Sequence, residues 1–278
     1  MKEPLSNHLI LVTGITDSNS LAMTCAKQIL NEGGKIICTG LGKTKFHKNL
    51  SEKSEAFLDR TYNDFEQVIQ KEFGKEIITL PMDVTIEESI GEVTEFLKSK
   101  SLSLNGFLHS IAMDKTIRAG AVKPILEVTK DEFFSAMEVS AYSLIAMSRS
   151  FIQANVISNN ASIVSLSYLG AEKIVRHPYK NVGVAKAALE RITFELAYEL
   201  GKSHGIKVNS IRFSPFTGSK AGGAIQGLQE AYELCEKDAP LGNARPIDLA
   251  YEVAYLLRND LKVTGEIRYV DGGYNIRG

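Results

Sequence analysis

The sequence predicts an α/β fold, a doubly wound parallel sheet in a single domain with a helical segment covering a site. Three observations carry this. Short β-rich runs alternate with longer stretches of helical periodicity. A glycine and then a helix start follow the first apolar run, as at the ligand-binding end of such sheets. No linker, internal repeat or low-complexity tract divides the 278 residues, so the length is read as one large domain, 1–278.

The elements follow in order. His8-Leu9-Ile10-Leu11-Val12-Thr13 is almost continuously apolar, as a strand buried on both faces must be. Leu21, Ala22, Cys25, Ile29 and Leu30 recur at helical spacing, with Ser20 as N-cap and Gly33-Gly34 as the stop. Lys35–Thr39 is the second strand. The charged stretch Gly40–Gly74 breaks the rhythm and holds a short helix around Ser54–Phe73. Further strands are expected at Glu76–Leu80, Gly106–Ser110, Ala161–Ser167, Lys207–Phe213 and Ile267–Val270, with helices at Ile86–Ser99, Asp131–Ala154 and Gly183–His204. Ser214–Asp238 is Gly-rich and then helical. It reads as a surface excursion or, preferably, as a lid over a substrate site, because long segments in compact domains often cover active sites.

Composition narrows the function. A formal charge of −1 gives no global field to recruit nucleic acid or a membrane surface, which leaves a small or carrier-borne substrate. Cys25, Cys38 and Cys235 form no CxxC pair, so neither a disulfide scaffold nor a metal site is expected, and Cys25 and Cys38 read as buried inert thiols. The first residues lack the apolar region of a signal peptide and no 18-residue apolar run occurs, which predicts a cytoplasmic protein.

The cofactor end is read from the carboxyl ends of the strands. After the first strand comes Gly14-Ile15-Thr16-Asp17-Ser18-Asn19-Ser20-Leu21. Gly14 permits a tight turn, and the following helix start offers free N–H groups to a pyrophosphate, although the other two glycines of GxGxxG are missing. Asp83, followed by Val84 beyond the third strand, either accepts from an adenine amine or caps the next helix. His109-Ser110-Ile111-Ala112 closes the fourth strand, with His109 read as a structural hydrogen-bonder. Lys43, Lys45 and Lys48 either neutralise a 2′-phosphate or form a solvated loop, so NADH and NADPH both remain open.

The catalytic end is read from Tyr179 and Lys186. Seven residues on a helix fall about 20° short of two turns, so both side chains share one face if the helix begins near Tyr179. A phenol can stabilise an enolate oxygen, and a lysine can hold ribose hydroxyls while adding positive potential.

The segment Leu166-Ser167-Tyr168-Leu169-Gly170-Ala171-Glu172, with Tyr179 and then Lys186 after six intervening residues, closely resembles the enoyl-acyl carrier protein reductases of bacterial fatty-acid synthesis. These belong to the short-chain dehydrogenase/reductase superfamily of Rossmann-type folds. Most of that superfamily carries Tyr-x-x-x-Lys, whereas Val182 stands four residues before Lys186 here. The likeness runs nearly end to end, through Ser140-Ala141-Tyr142-Ser143 and Gly205–Ile211 to Val270-Asp271-Gly272-Gly273.

The resemblance implies an oxidoreductase that reduces trans-2-enoyl groups on acyl carrier protein with NADH or NADPH, usually as a homotetramer. By matching position, Tyr179 donates to the enolate, Lys186 holds the ribose and Tyr168 lines the acyl site. Gly14, Ile15, Ser20, Leu21, Asp83, Val84, Ser110, Ile111 and Ala112 contact the dinucleotide. Phe216–Lys220, preceded by Pro215, lies over the nicotinamide, with the contacting hydroxyl open between Thr217 and Ser219. This chain departs from the pattern by one extra residue between Tyr168 and Tyr179, by Ser214–Ser219, by Ala112 in place of a common glycine, and by the enlarged Gly40–Gly74. The competing expectations are a short-chain dehydrogenase for a ketone or alcohol, a reductase of a specialised enoyl substrate, and a nucleotide-binding protein without catalysis.

Overall fold

The computed structural model describes residues 3–118, 121–219 and 225–277. Its strands and helices alternate along the chain. β1 (Leu9–Thr13), α1 (Leu21–Asn31), β2 (Lys35–Gly40), α2 (Glu52–Phe73), β3 (Ile78–Pro81), α3 (Glu87–Ser99) and β4 (Leu104–His109) make the first half. A two-stranded hairpin, β5 (Ile117–Arg118) and β6 (Ala121–Val122), precedes α4 (Lys130–Met137) and α5 (Ser143–Gln153). β7 (Ile157–Tyr168), α6 (Lys180–His204), β8 (Lys207–Phe213), α7 (Leu228–Asp238), α8 (Pro246–Leu256) and β9 (Ile267–Val270) complete it.

The seven long strands form one parallel sheet in the order β3-β2-β1-β4-β7-β8-β9. All seven expected strands are present, most within a few residues of their expected bounds. Both faces are covered, as a parallel sheet requires. Ile10 and Val12 of β1 point into the core shared with α1, α8 and the Phe65 and Ile69 edge of α2. Leu11, between them, points into the opposite core with α3, α5 and α6.

Several expectations are corrected. Ser20 occupies the N-cap of α1, but its hydroxyl donates to Asp17 O (2.9 Å) and makes no capping bond. The helix expected around Ser54–Phe73 is present as α2, starting two residues earlier and N-capped by Ser51, which accepts from Ser54 N. It buries one narrow face, Leu58, Phe65 and Ile69, beneath a charged exterior. The stretch expected as one helix over Asp131–Ala154 is broken by a π-helical turn at Glu138–Tyr142. There Ser143 Oγ donates back to Val139 O, and Ser140 Oγ accepts from Met113 N, so side chains enter the helical ladder. The β5–β6 hairpin and α8 had no counterpart in the sequence reading.

Candidate active site

The chain runs outward from β1 to β2 and β3, then returns to β4 on the other side of β1. Strand order therefore reverses between the carboxyl ends of β1 and β4, where ligands settle in open α/β sheets. The two ends are locked together. Thr13 Oγ1 donates to Leu108 O (2.9 Å) and accepts from Ser110 N (3.1 Å). Gly14 follows with φ of 81°, and a Cβ there would lie 1.8 Å from Ser110 O. Only glycine fits that approach.

Around this point the expected dinucleotide residues gather. Ile15 is buried, Leu21 opens α1, and the Ser20 hydroxyl leaves the first-turn N–H groups uncapped from within. Ser110, Ile111 and the exposed Ala112 continue from β4. Val84 is buried just past β3. Asp83 does not cap α3, whose N-cap is Ile86. Asp83 Oδ1 accepts from Thr85 N (2.9 Å) and Thr85 Oγ1 (2.7 Å), and Oδ2 lies 3.2 Å from His47 Nε2. His47 Nδ1 accepts from Thr44 N (3.1 Å), so the ring proton is on Nε2 and donates to Asp83. Three donors already use this carboxylate, which leaves one lone-pair direction for an adenine amine.

The lysines after β2 are also engaged. Lys43 pairs with Glu55, Lys45 with Glu92 at 3.0 Å, and Lys48 is exposed. Beyond β8, Pro215 is buried and Phe216 packs edge-on against Phe213 at 6.3 Å. Thr217 and Ser219 lie partly buried on the same segment, while Lys220 and residues 221–224 lie outside the described residues.

The reactive groups sit where β7 gives way to α6. Tyr179 is the N-cap residue of α6, and Lys180 after it has φ of 24°, an unusual backbone for a non-glycine residue. The Tyr168 and Tyr179 rings meet edge to face with centroids 4.9 Å apart. Gly170 makes room for them, since a Cβ there would stand 2.3 Å from Tyr179 Cδ1. Lys186 is buried, and its ammonium donates to Leu166 O (2.8 Å) and Ile111 O (3.2 Å). It thereby bridges the ends of β7 and β4 with two of its three donors, leaving one among the described residues.

The electrostatics suit proton and hydride chemistry. Burial raises the Tyr179 phenol above its ordinary value, with the Glu190 and Asp114 charges adding to the rise. Burial likewise raises Tyr168, reinforced by Tyr179. Both remain neutral donors at physiological pH. Burial lowers Lys186 to about 8, against the opposing pull of Glu190. His109 is buried and neutral, driven down to about 3 by burial and by Lys186. Since Ser143 spends its proton on Val139 O, His109 Nε2 donates to Ser143 Oγ (2.7 Å), a structural role as expected.

Two groups escaped the sequence reading. His177, buried beside both tyrosines at 5.3 and 5.7 Å between ring centroids, lies in the segment carrying the extra residue. Arg212, next to last in the mixed strand β8, forms a buried ion pair with Glu190. All three thiols are buried and pushed up to about 12 by desolvation, so none is a nucleophile. No group of three or more His, Cys, Asp or Glu able to hold a metal occurs among the described residues.

A doubly wound sheet with a glycine turn at the strand-order reversal, and with two phenols and a buried ammonium at the neighbouring end of β7, is the arrangement of a nicotinamide-dependent oxidoreductase. The family model described as enoyl-(acyl carrier protein) reductase matches residues 56–275. The enoyl-acyl-carrier-protein reductase (NADH) FabI of Aquifex aeolicus is 33% identical over 272 residues, covering 96% of this chain and 91% of the relative. That of Bacillus cereus is 31% identical over 278 residues, covering 99% of this chain and 100% of its own. Among solved structures, the Bacillus cereus enoyl-acyl carrier protein reductase with NADP+ and indole naphthyridinone has a TM-score of 0.86 at 29% identity, covering 99% of both chains. The FabI–NADH complex from Alistipes finegoldii has a TM-score of 0.85 at 25% identity, covering 99% of this chain and 90% of its own. The chain belongs to the enoyl-acyl carrier protein reductase family.

Proposed function

We propose that the protein reduces the trans-2 double bond of enoyl thioesters on acyl carrier protein, in fatty-acid elongation, with Tyr179 and Lys186 as its central groups. The observation that carries this is the Tyr168–Tyr179 ring pair at the end of β7, two turns along α6 from a buried lysine. A ketone reductase is disfavoured because Val182 stands where its tyrosine belongs.

The residues fit a nicotinamide dinucleotide. Gly14 lets the backbone close on Ser110, the α1 start presents N–H groups to a pyrophosphate, and Lys186 keeps a donor for the ribose. When bound, the reduced nicotinamide supplies a hydride to the β-carbon of the enoyl group. Tyr179, protonated because burial holds its pKa high, donates to the thioester oxygen as negative charge develops there. Lys186 orients the ribose and adds positive potential beside the same oxygen. Tyr168 packs against Tyr179 and walls the acyl site. Phe216–Ser219 and α7, the described parts of the expected lid, cover the acyl site. The cofactor is NADH or NADPH; Lys43 and Lys45 are each paired with a carboxylate that a 2′-phosphate would have to displace, while Lys48 is exposed.

A homotetramer accounts for two exposed aromatic faces, Phe194 and Tyr198 on α6 and Tyr251, Tyr255 and Tyr269 on α8 and β9. No helix among the described residues is long and apolar enough to cross a membrane, in keeping with work in the cytoplasm.

The test is the loss of nicotinamide absorbance with crotonyl-CoA or crotonyl-acyl carrier protein, using NADH and NADPH side by side. Turnover with NADH or NADPH is expected. A folded protein inert toward both thioesters with both cofactors would overturn the proposal.

A further inference from the structure

One helical turn beyond Lys186 on α6 lies Glu190, a buried carboxylate that the proposed chemistry does not use. A lysine and a glutamate four residues apart on one helix face are within reach of a direct ion pair. Here both oxygens of Glu190 are taken by other groups. Oε1 accepts from Ser167 Oγ (2.6 Å) and Arg212 Nε (2.7 Å), and Oε2 accepts from Arg212 Nη2 (2.5 Å). Lys186 reaches the other way, to Leu166 O and Ile111 O.

Arg212 is buried in β8, and its remaining Nη1 is held by Glu172 and the Tyr269 hydroxyl. The guanidinium fork therefore has a fixed orientation, anchored from Glu172 in the turn after β7, from β9 and from α6. A fork of this kind occupies a carboxylate bidentately, which a lysine cannot do.

We propose that Arg212, through its pairing with Glu190, is a positioning residue for the reaction: the fork keeps the Glu190 carboxylate from capturing Lys186, so the ammonium retains a donor for the nicotinamide ribose. This rests on Lys186 holding that ribose, as proposed above. Burial raises the Glu190 carboxyl to about 7, so above that pH and without the guanidinium it is a buried carboxylate short of partners, a costly state. Lys186, four residues away on the same helix, is a cation on a flexible stem, and rotation of that stem would satisfy the carboxylate at the expense of the ribose contact.

The test measures the NADH dissociation constant by fluorescence for Arg212→Met, Glu190→Gln, the double variant and Lys186→Ala. Losing one charge-assisted hydrogen bond should weaken binding by Arg212→Met roughly ten- to a hundredfold. Glu190→Gln removes the competing charge, so alone it should bind within about threefold of the parent. The double variant should recover to the same level, because nothing remains to capture Lys186. A merely structural role predicts a double variant at least as impaired as Arg212→Met, and that result overturns the proposal. Should Arg212→Met fail to fold by its circular-dichroism melt, Arg212→Lys keeps the charge without the fork. It should then bind NADH more weakly than the parent, and unchanged binding would count against the pair. Lys186→Ala separates the two levels. If it binds NADH like the parent, the ribose assignment is wrong; if it binds weakly while Arg212→Met binds tightly, only the positioning role is wrong.

Discussion

Gly170→Ala is the smallest substitution that displaces the reactive phenol without altering Tyr179 itself. The added Cβ would stand 2.3 Å from Tyr179 Cδ1 and 3.1 Å from Tyr168 Cδ1. Carbon atoms in contact settle at about 3.5–4.0 Å, so the Tyr179 ring must retreat by roughly 1.5 Å. Tyr168 at 4.9 Å and His177 at 5.7 Å between centroids crowd that ring and limit the directions open to it. Overpacking of this kind costs ~1–3 kcal/mol of stability, and a reacting group misplaced by about 1 Å loses on the order of a hundredfold in rate. Gly14 and the α1 start lie at the other end of the cofactor crevice, so NADH affinity should stay within about twofold. The assay is steady-state oxidation of NADH with crotonyl-acyl carrier protein, beside a thermal melt and an NADH titration. A folded Gly170→Ala protein with parental kcat would refute the assigned position of the phenol.

Three further outcomes follow from the same geometry. NADH affinity should fall as pH rises through about 8, because Lys186, lowered to about 8 by burial, loses the proton that makes it a ribose donor, and flat binding from pH 7 to 9.5 would contradict this. Gly14→Ala must carry a φ of 81° and a Cβ 1.8 Å from Ser110 O, so it should lose ~2 kcal/mol or more, lower Tm by roughly 5 °C and abolish NADH binding; an unchanged melt would argue that β1 and β4 do not meet as described. Combining Glu55→Gln with Glu92→Gln frees Lys43 and Lys45 from their ion pairs and should raise kcat/KM for NADPH relative to NADH several-fold, a shift absent if the lysines do not face the 2′ position.

The sheet was legible because its central strands carry short β-rich runs between turn residues, β1 above all, the pattern that burial on both faces imposes. The Tyr179–Lys186 pair was legible because its seven-residue spacing has a fixed geometric meaning on a helix. Pairings between distant elements were not. His47 meets Asp83 across 36 residues, and Arg212 meets Glu190 across 22, and neither separation leaves a periodic trace in the chain. The π-helical turn at Glu138–Tyr142 depends on Ser140 reaching Met113 and on Ser143 bonding back to Val139, contacts that local propensity cannot encode. α8 could have been found, since Pro246 at the first helical position and Asp248, which accepts from Arg245 N, are start signals in plain sight.

The most direct measurement is a single-turnover reduction of crotonyl-acyl carrier protein by Tyr179→Phe at saturating NADH. Losing one donor to a developing oxyanion costs about a hundred- to a thousandfold, and the variant should show that loss while binding NADH within about twofold of the parent. A parental single-turnover rate in the absence of the phenol hydroxyl would contradict the account.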